Sequence, residues 1–284
     1  MVKDIINEKL YSNPLQNLNS LDYLTFAIKL ILFVIAAIIL ILINFFLGRF
    51  VKSIRNNSPI FFHKFLLWTL SINVEIEGQL ETAKNCNLFV SNHISYLDIP
   101  ILGSNFPLRF VAKSEVASWG IFGFLAKLAQ TIFIKRNKND TFNQKQKLKK
   151  LLLSNEKILI FPEGTTSDGN RVLDFKSSSF SAVEKENFRI QPITLVYSEF
   201  NGIPINRWLR PILAWYGDMD LKPHLSFLVN LRPIKVKLIF SDPVKSEIFS
   251  NRKDLNNYLQ EIINTNYVNS KSNNLHILNI TGSK

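Results

Sequence analysis

Cysteine is almost absent from this chain. The one thiol, Cys86, excludes an internal disulfide and any cysteine-based zinc cluster. It sits in the polar stretch Glu81-Thr82-Ala83-Lys84-Asn85-Cys86-Asn87, which reads as a loop before a strand and predicts a surface or half-buried structural thiol rather than a nucleophile. Histidine is scarce too: His63, His93, His224 and His276 are scattered without metal-ligand spacing, so no metal and no cofactor are expected. There is no G-x-S-x-G elbow, which disfavours a serine hydrolase. Acidic residues number 22 against 34 basic ones, and the formal net charge of +12 favours nucleic acid, an acidic membrane surface or acidic proteins as partners. No nucleic-acid reading motif accompanies that charge, and 46% hydrophobic residues with 23 phenylalanines fit such a binder poorly, so no nucleic acid is expected.

What is present begins with an apolar run. Leu30 to Leu47 is apolar apart from Asn44, and Phe26-Ala27-Ile28 extends it upstream past Lys29. A spanning helix needs ~20 such residues. The run is too long and too far from the N-terminus for an ordinary signal peptide, and no A-x-A-like site follows it, so it predicts a retained anchor. Arg49, Lys52, Arg55 and Lys64 follow closely while only Lys29 stands near the other end, which by the positive-inside rule puts the C-terminal bulk in the cytoplasm. The aromatic-rich segment Pro59 to Leu70 is too short to span. It either lies in the membrane interface, with Trp68 and Lys64 at headgroup level, or pairs with the first helix as a shallow hairpin.

After Ser71 short β-rich runs alternate with helical ones. Strands are predicted at Ile72–Ile76, Leu88–Ser91, Arg109–Ala112, Thr131–Lys135, Ile158–Phe161, Ile190–Val196 and Ile234–Phe240. Helical stretches are predicted near Ile99–Leu102, Phe122–Ala129, Phe142–Leu153 and Ser178–Glu186. This alternation argues for an α/β architecture, a mixed sheet with flanking helices behind the membrane-anchoring helix. Lys253 to Asn264 reads as a helix with Leu255, Leu259 and Ile262 or Ile263 on one face, and a loosely ordered polar end is expected beyond Val268.

Three short segments carry chemistry. Asn92-His93-Ile94-Ser95-Tyr96-Leu97-Asp98 places an imidazole and a carboxylate five positions apart after an apolar strand. It fits a general-base dyad, in which the carboxylate orients the imidazole, and it fits equally a capping box with Ser95 as N-cap and Asp98 closing back on its amide. Phe161-Pro162-Glu163-Gly164-Thr165-Thr166-Ser167 follows a strand, where glycine permits close backbone approach and hydroxyls and free amides can hold phosphate oxygens; a plain turn has the same composition. Ile132-Phe133-Ile134-Lys135-Arg136 ends in two cations, of which Arg136 suits a phosphate, although a solvated strand end reads the same way.

Taken in order, and followed by Gln191-Pro192-Ile193, these segments resemble the four blocks of the glycerolipid acyltransferases typified by 1-acylglycerol-3-phosphate acyltransferase. The resemblance covers roughly residues 70 to 245. It implies that His93 is the general base and Asp98 its partner. The implied reaction is transfer of an acyl chain from an acyl-carrier-protein or coenzyme A thioester to a lysophospholipid hydroxyl, with 1-acylglycerol-3-phosphate as expected acceptor and phosphatidic acid as product. It assigns Arg136, Glu163, Gly164 and Thr165 to the acceptor headgroup and has Pro192 shape the floor of the site. In two places the chain departs from the pattern: Thr166 stands where the family usually has arginine, and Gln130 where it usually has glycine. Lys113 and Lys176 are candidates to replace the missing cation, and Thr166 keeps open another acceptor, such as a lyso-ornithine lipid or another lysophospholipid. A non-catalytic lipid-binding membrane protein is the alternative from another class. The expected layout is an N-terminal segment at 1–24, an anchor and interfacial helix at 25–70, an acyltransferase domain at 71–268 and a polar tail at 269–284. The expected location is the inner (cytoplasmic) membrane with the catalytic domain in the cytoplasm, held against an anionic membrane surface.

Overall fold

The computed structural model of the chain describes residues 20–78, 80–135, 141–228 and 233–281. Helix α1, Ser20–Leu47, is built on the apolar run. Its stretch Tyr23–Leu47 is long and apolar enough to cross a membrane, and most of its side chains are exposed. Helix α2, Lys52–Thr69, doubles back alongside it. The turn passes through Gly48, where a Cβ would lie 2.4 Å from the Asn44 carbonyl oxygen. Ring contacts join the two helices: Phe33 lies 5.4 Å from Phe62 and 6.4 Å from Phe65, centroid to centroid. Asn44, the polar interruption of the apolar run, is buried and donates its side-chain amide to Ser58 Oγ. An unpaired amide there would cost ~1–3 kcal/mol, so this bond favours the paired arrangement. Of the two arrangements compatible with the sequence, the helical hairpin is the one formed.

The remaining described residues fold around a nine-stranded sheet. Its strands are β1 Ile72–Gly78, β2 Leu88–Ser91, β3 Arg109–Lys113, β4 Ile132–Ile134, β5 Ile158–Ile160, β6 Arg189–Phe200, β7 Ile203–Pro204, β8 Ile234–Phe240 and β9 Val244–Lys245. They run in the order β1-β8-β6-β2-β5-β3-β4, with β7 and β9 also paired to β6. Strands β2 to β6 are mutually parallel, whereas β8 is antiparallel to β6 and parallel to β1. The architecture is the expected mixed α/β sheet, and each of the seven predicted strands forms, with ends shifted by a few residues.

Strand periodicity builds a core on each face. Phe89 and Leu159 point to one side, with Leu97, Ile101, Leu195 and Tyr197. Leu88, Val90, Ile158 and Ile160 point to the other, with Leu152, Phe180, Leu255, Leu259 and Ile263. Helix α3, Asp98–Gly103, covers the first face. Helix α4, Gly120–Leu128, follows β3. On the second face lie α5, Thr141–Leu153, and after the short α6, Arg210–Leu213, and α7, Leu221–Leu228, the long α8, Arg252–Thr281. Each fully buried Leu or Ile on these faces contributes roughly 1.5–3 kcal/mol.

Three local expectations change. Ser178–Glu186 is not an α-helix: a 3-10 turn at Ser177–Phe180 leads into further i to i+3 turns, and Lys185 takes a left-handed φ of 61°. Clustered serines compete for backbone bonds, and tight turns suffice to bury Phe180 and Val183. Helix α8 continues to Thr281 where a loose end was expected beyond Val268, and Tyr267 on it is buried. Cys86 is a core residue at 1% exposure, its Sγ donating to Thr82 O at 3.7 Å, and burial pushes the thiol above its usual range.

Topology settles where a site can lie. With β2 to β6 parallel, the chain leaves β2 at Asn92-His93, β5 at Phe161 to Gly164, β3 at Lys113 and β4 after Ile134 on one edge of the sheet. Parallel α/β sheets bind ligands outside the carboxyl ends of their strands.

Candidate active site

Asn92 prolongs β2 with its side chain. Its Oδ1 accepts Leu195 N–H at 2.8 Å and its Nδ2 donates to Leu195 O at 2.9 Å, so the amide stands in for one more strand residue beside β6. The chain then turns, and His93 and Asp98 meet, with His93 Nδ1 2.8 Å from Asp98 Oδ2. Asp98 is fully buried, whereas the imidazole retains 18% exposure. The backbone amides of Ile94 and Ser95 also donate to Asp98 Oδ2, at 2.6 and 2.9 Å. Tyr197 Oη donates to Oδ1 at 2.8 Å. A carboxylate surrounded by donors is an acceptor only, so Nδ1 carries the imidazole proton and Nε2 keeps its lone pair.

The capping reading is half realised in the same atoms. Asp98 at the start of α3 closes back on the Ser95 amide, while Ser95 Oγ lies 3.5 Å from Leu97 N, too long to cap well. One carboxylate therefore both closes the helix entry and orients the imidazole.

Phe161 lies flat on His93, with ring centroids 3.9 Å apart and planes 10° apart, and fixes the imidazole plane. Glu163 sits at 2% exposure. Its Oε1 accepts His93 N–H at 2.7 Å and its Oε2 accepts Leu173 N–H at 2.9 Å. Burial pushes its carboxyl up to about 8, against the two amide bonds that favour its charged form, with the Asp98 charge adding to the rise. A further bond, Ser167 N–H to His93 O at 2.9 Å, ties the loop after β5 to the turn after β2.

The other sequence-derived candidates distribute as follows. Glu163, expected at the acceptor headgroup, has its carboxyl turned into the protein and spent on two backbone amides. Gly164 adopts φ 69°, a value that favours glycine, and its N–H donates to Phe161 O. Thr165 is exposed at the same edge and Thr166 is half-buried. Lys113 is exposed at the end of β3. Lys176 is exposed, its backbone N–H on Pro162 O. Arg136 lies outside the described residues. Pro192, expected to shape the floor of the site, pairs in register with Val90 within the sheet. Its carbonyl accepts Ser241 N–H, so its missing N–H faces the gap between β8 and β9, where a ladder donor is dispensable.

Sequence reasoning missed Tyr197, which lies 99 positions from Asp98. The available signal was a tyrosine inside an apolar strand, since a buried phenol requires a polar partner. Burial and the neighbouring Asp98 charge hold that phenol well above its ordinary value, so it remains a donor.

An oriented imidazole with one open nitrogen can take a proton from a hydroxyl, which is the need of a reaction with a weak alcohol nucleophile. Comparison with known proteins agrees. The family model described as Acyltransferase matches residues 71–196. A lyso-ornithine lipid O-acyltransferase of Rhizobium meliloti (strain 1021) is 36% identical over 217 residues, covering 74% of this chain and 74% of that protein. The chain belongs to the acyltransferase family. A 1-acyl-sn-glycerol-3-phosphate acyltransferase of Neisseria gonorrhoeae is 29% identical over 197 residues, covering 68% of this acyltransferase and 75% of its relative. The fold is that of the solved 1-acyl-sn-glycerophosphate acyltransferase PlsC from Thermotoga maritima, with a TM-score of 0.62 at 22% identity over 88% of this chain and 98% of the other.

Glu163→Gln tests the inward placement. A glutamine offers one carbonyl oxygen to two amide N–H groups and faces its own NH2 toward the second. Folding free energy is expected to fall by about 1–3 kcal/mol in denaturant titrations, with one buried amide left unpaired. The effect carries a pH signature. Because the folded carboxyl is raised from 4.5 to about 8, its stabilising contribution is present below the unfolded value and is lost as pH rises through about 8. The deficit of the glutamine variant is therefore largest in mild acid and shrinks toward alkaline pH. A deficit independent of pH would show that Glu163 is charged throughout.

Proposed function

We propose that this acyltransferase moves an acyl chain from an acyl-carrier-protein or coenzyme A thioester to the free hydroxyl of a lysolipid, and that the acceptor is a lyso-ornithine lipid. The observation that carries the reading is the buried Asp98 on His93 Nδ1 of an imidazole that keeps 18% exposure, which leaves Nε2 as the nitrogen for a substrate hydroxyl. In this reading Nε2 removes the hydroxyl proton as the oxygen attacks the thioester carbonyl. Collapse of the tetrahedral adduct breaks the carbon–sulfur bond, and the imidazolium returns the proton to the departing thiolate. No acyl-enzyme is needed. Asp98 stabilises the imidazolium, Tyr197 and Glu163 position the pair, and Arg136, Lys113, Gly164 and Thr165 are the proposed acceptor contacts.

Two observations support the ornithine acceptor: greater identity to the relative named for it, and Thr166 in place of a cation that would suit a phosphate. The glycerophosphate relative keeps 1-acylglycerol-3-phosphate as the second reading. In both, residues 25–70 anchor the enzyme, residues 71–268 form the catalytic domain, and that domain faces the cytoplasm at the inner membrane. Exposed Trp119, Ile121, Phe122 and Phe124 around α4, which lies against α1, support an apolar seat on the bilayer. The excess of basic residues would attract anionic headgroups and an acidic carrier protein or the phosphates of coenzyme A.

The experiment is acyl transfer by detergent-purified enzyme, with both donors offered against lyso-ornithine lipid, 1-acylglycerol-3-phosphate and other lysophospholipids. Highest kcat/KM on lyso-ornithine lipid is expected. Preference for 1-acylglycerol-3-phosphate would select the second reading, and no turnover with any pair would overturn both.

A further inference from the structure

The loop that carries Thr166 runs on into Ser167-Asp168-Gly169-Asn170, and it holds charges that none of the assigned groups uses. It lies against the dyad. Ser167 N–H donates to His93 O at 2.9 Å, and a Cβ on Gly169 would stand 3.4 Å from both Ile94 Cγ2 and Arg210 Cβ. Asp168 is half-buried. Its oxygens accept only Asn170 N–H at 2.9 Å and Asn170 Nδ2 at 3.1 Å, and among the described residues it forms no ion pair. Across the loop stands half-buried Arg210, at the start of α6. Its Nη1 reaches Asn170 Oδ1 at 3.5 Å and its Nη2 reaches Ile205 O at 3.4 Å, both long, so its donors are under-used. Lys271 of α8 fastens the loop by donating to Asn170 O at 2.7 Å. The Asn170 side-chain amide touches both groups, donating to Asp168 and accepting from Arg210; burial lowers the pKa of Arg210, while Tyr267 and then the Asp168 charge raise it.

A phosphomonoester is served by cations, and a carboxylate facing it repels. An ornithine headgroup differs: with its α-nitrogen acylated it still bears an ammonium and a carboxylate, separated by a short methylene chain. A carboxylate and a guanidinium that are close, partly desolvated and not paired to each other match those two charges in opposite sense. We propose that Asp168 and Arg210 form the subsite for a zwitterionic acceptor headgroup, Asp168 receiving the ammonium and Arg210 the carboxylate. The assignment rests on the ornithine-acceptor reading above and supplies what Thr166 alone does not, a positive criterion for that headgroup. Lys271 and Asn170 hold the loop in place.

The test uses the full-length enzyme in mixed micelles with lyso-ornithine lipid, its δ-N-acetyl derivative, its methyl ester and 1-acylglycerol-3-phosphate. Asp168→Asn is expected to raise the KM for lyso-ornithine lipid roughly tenfold or more, the scale of a lost charge-assisted hydrogen bond. The ratio of kcat/KM between the ornithine and glycerophosphate acceptors should move toward the latter by a similar factor. Since the acetylated acceptor has no ammonium, Asp168→Asn should add no penalty on it. Arg210→Gln should likewise penalise the parent acceptor but not the methyl ester. Should that variant fail to fold, the wild-type loss on the methyl ester supplies the same information. If the wild type acylates lyso-ornithine lipid but Asp168→Asn leaves the acceptor ratio unchanged, the subsite is wrong while the function stands. If the wild type ignores ornithine acceptors altogether, both readings fall.

Discussion

His93→Ala is expected to reduce turnover by about 10³-fold or more, the upper part of what a positioned proton-transfer group contributes, with little change in melting temperature. The fold should survive because the contacts that shape the turn do not depend on the imidazole. Glu163 holds the His93 backbone N–H and Ser167 N–H holds its carbonyl, both of which an alanine keeps. Asp98, losing one partner, still accepts from Ile94 N, Ser95 N and Tyr197 Oη, so no buried charge is stranded. The losses are the ring stacked on Phe161 and the open nitrogen. Retention of more than about a tenth of wild-type kcat, under conditions where chemistry limits the rate, would remove His93 from the base role.

Asp98→Asn is expected to be nearly as severe in kcat, lowering it by about 10²–10⁴-fold, and again without collapse of the fold. The donors around Asp98 explain why the fold tolerates it. Three N–H groups converge on Oδ2 and a hydroxyl meets Oδ1. An asparagine can turn its oxygen to the three N–H groups and its NH2 to Tyr197, whose hydroxyl accepts as readily as it donates. The geometry is kept, but the charge that stabilises the imidazolium is lost. Adding Tyr197→Phe should then cost folding stability, since the asparagine NH2 would be buried unpaired at ~1–3 kcal/mol. Calorimetry beside kcat separates the effects: a fall in kcat that simply tracked lost folded protein would mean that Asp98 acts only as a helix closure.

Local patterning was legible because it depends on neighbours in sequence. The apolar run at Leu30 to Leu47 follows from its unbroken length, the seven strands from short β-rich runs, and the face of Leu255, Leu259 and Ile263 from a 3.6-residue period. The His93–Asp98 spacing, by contrast, fitted a general-base dyad and a capping box equally, and their meeting was left to the tertiary structure. Failures came where distant chain decides the outcome. Cys86 looked like a loop thiol because its neighbours are polar, yet it is packed in the core. Ser178 to Glu186 has a helix-like spacing of Phe180 and Val183, but successive tight turns bury both. Glu163 looked available to a ligand because a strand-end turn usually is. The His93 and Leu173 amides, supplied from elsewhere in the chain, claim it instead.

By itself the sequence determined that a basic, disulfide-free α/β protein follows an apolar helix, and that its ordered blocks resemble those of an acyltransferase. These follow from composition, periodicity and short spacings, which any single stretch of chain displays. Only the tertiary structure decided that the apolar helix forms a hairpin with its neighbour, through Asn44 and Ser58. It alone also showed that Asp98 serves helix entry and imidazole together, that Tyr197 completes its donors, and that Asp168 and Arg210 face one loop beside the dyad. Such facts depend on sheet order and register, which place β2, β5 and β6 side by side though they are far apart in sequence. No local rule carries that order, because it is chosen by the joint burial of both sheet faces.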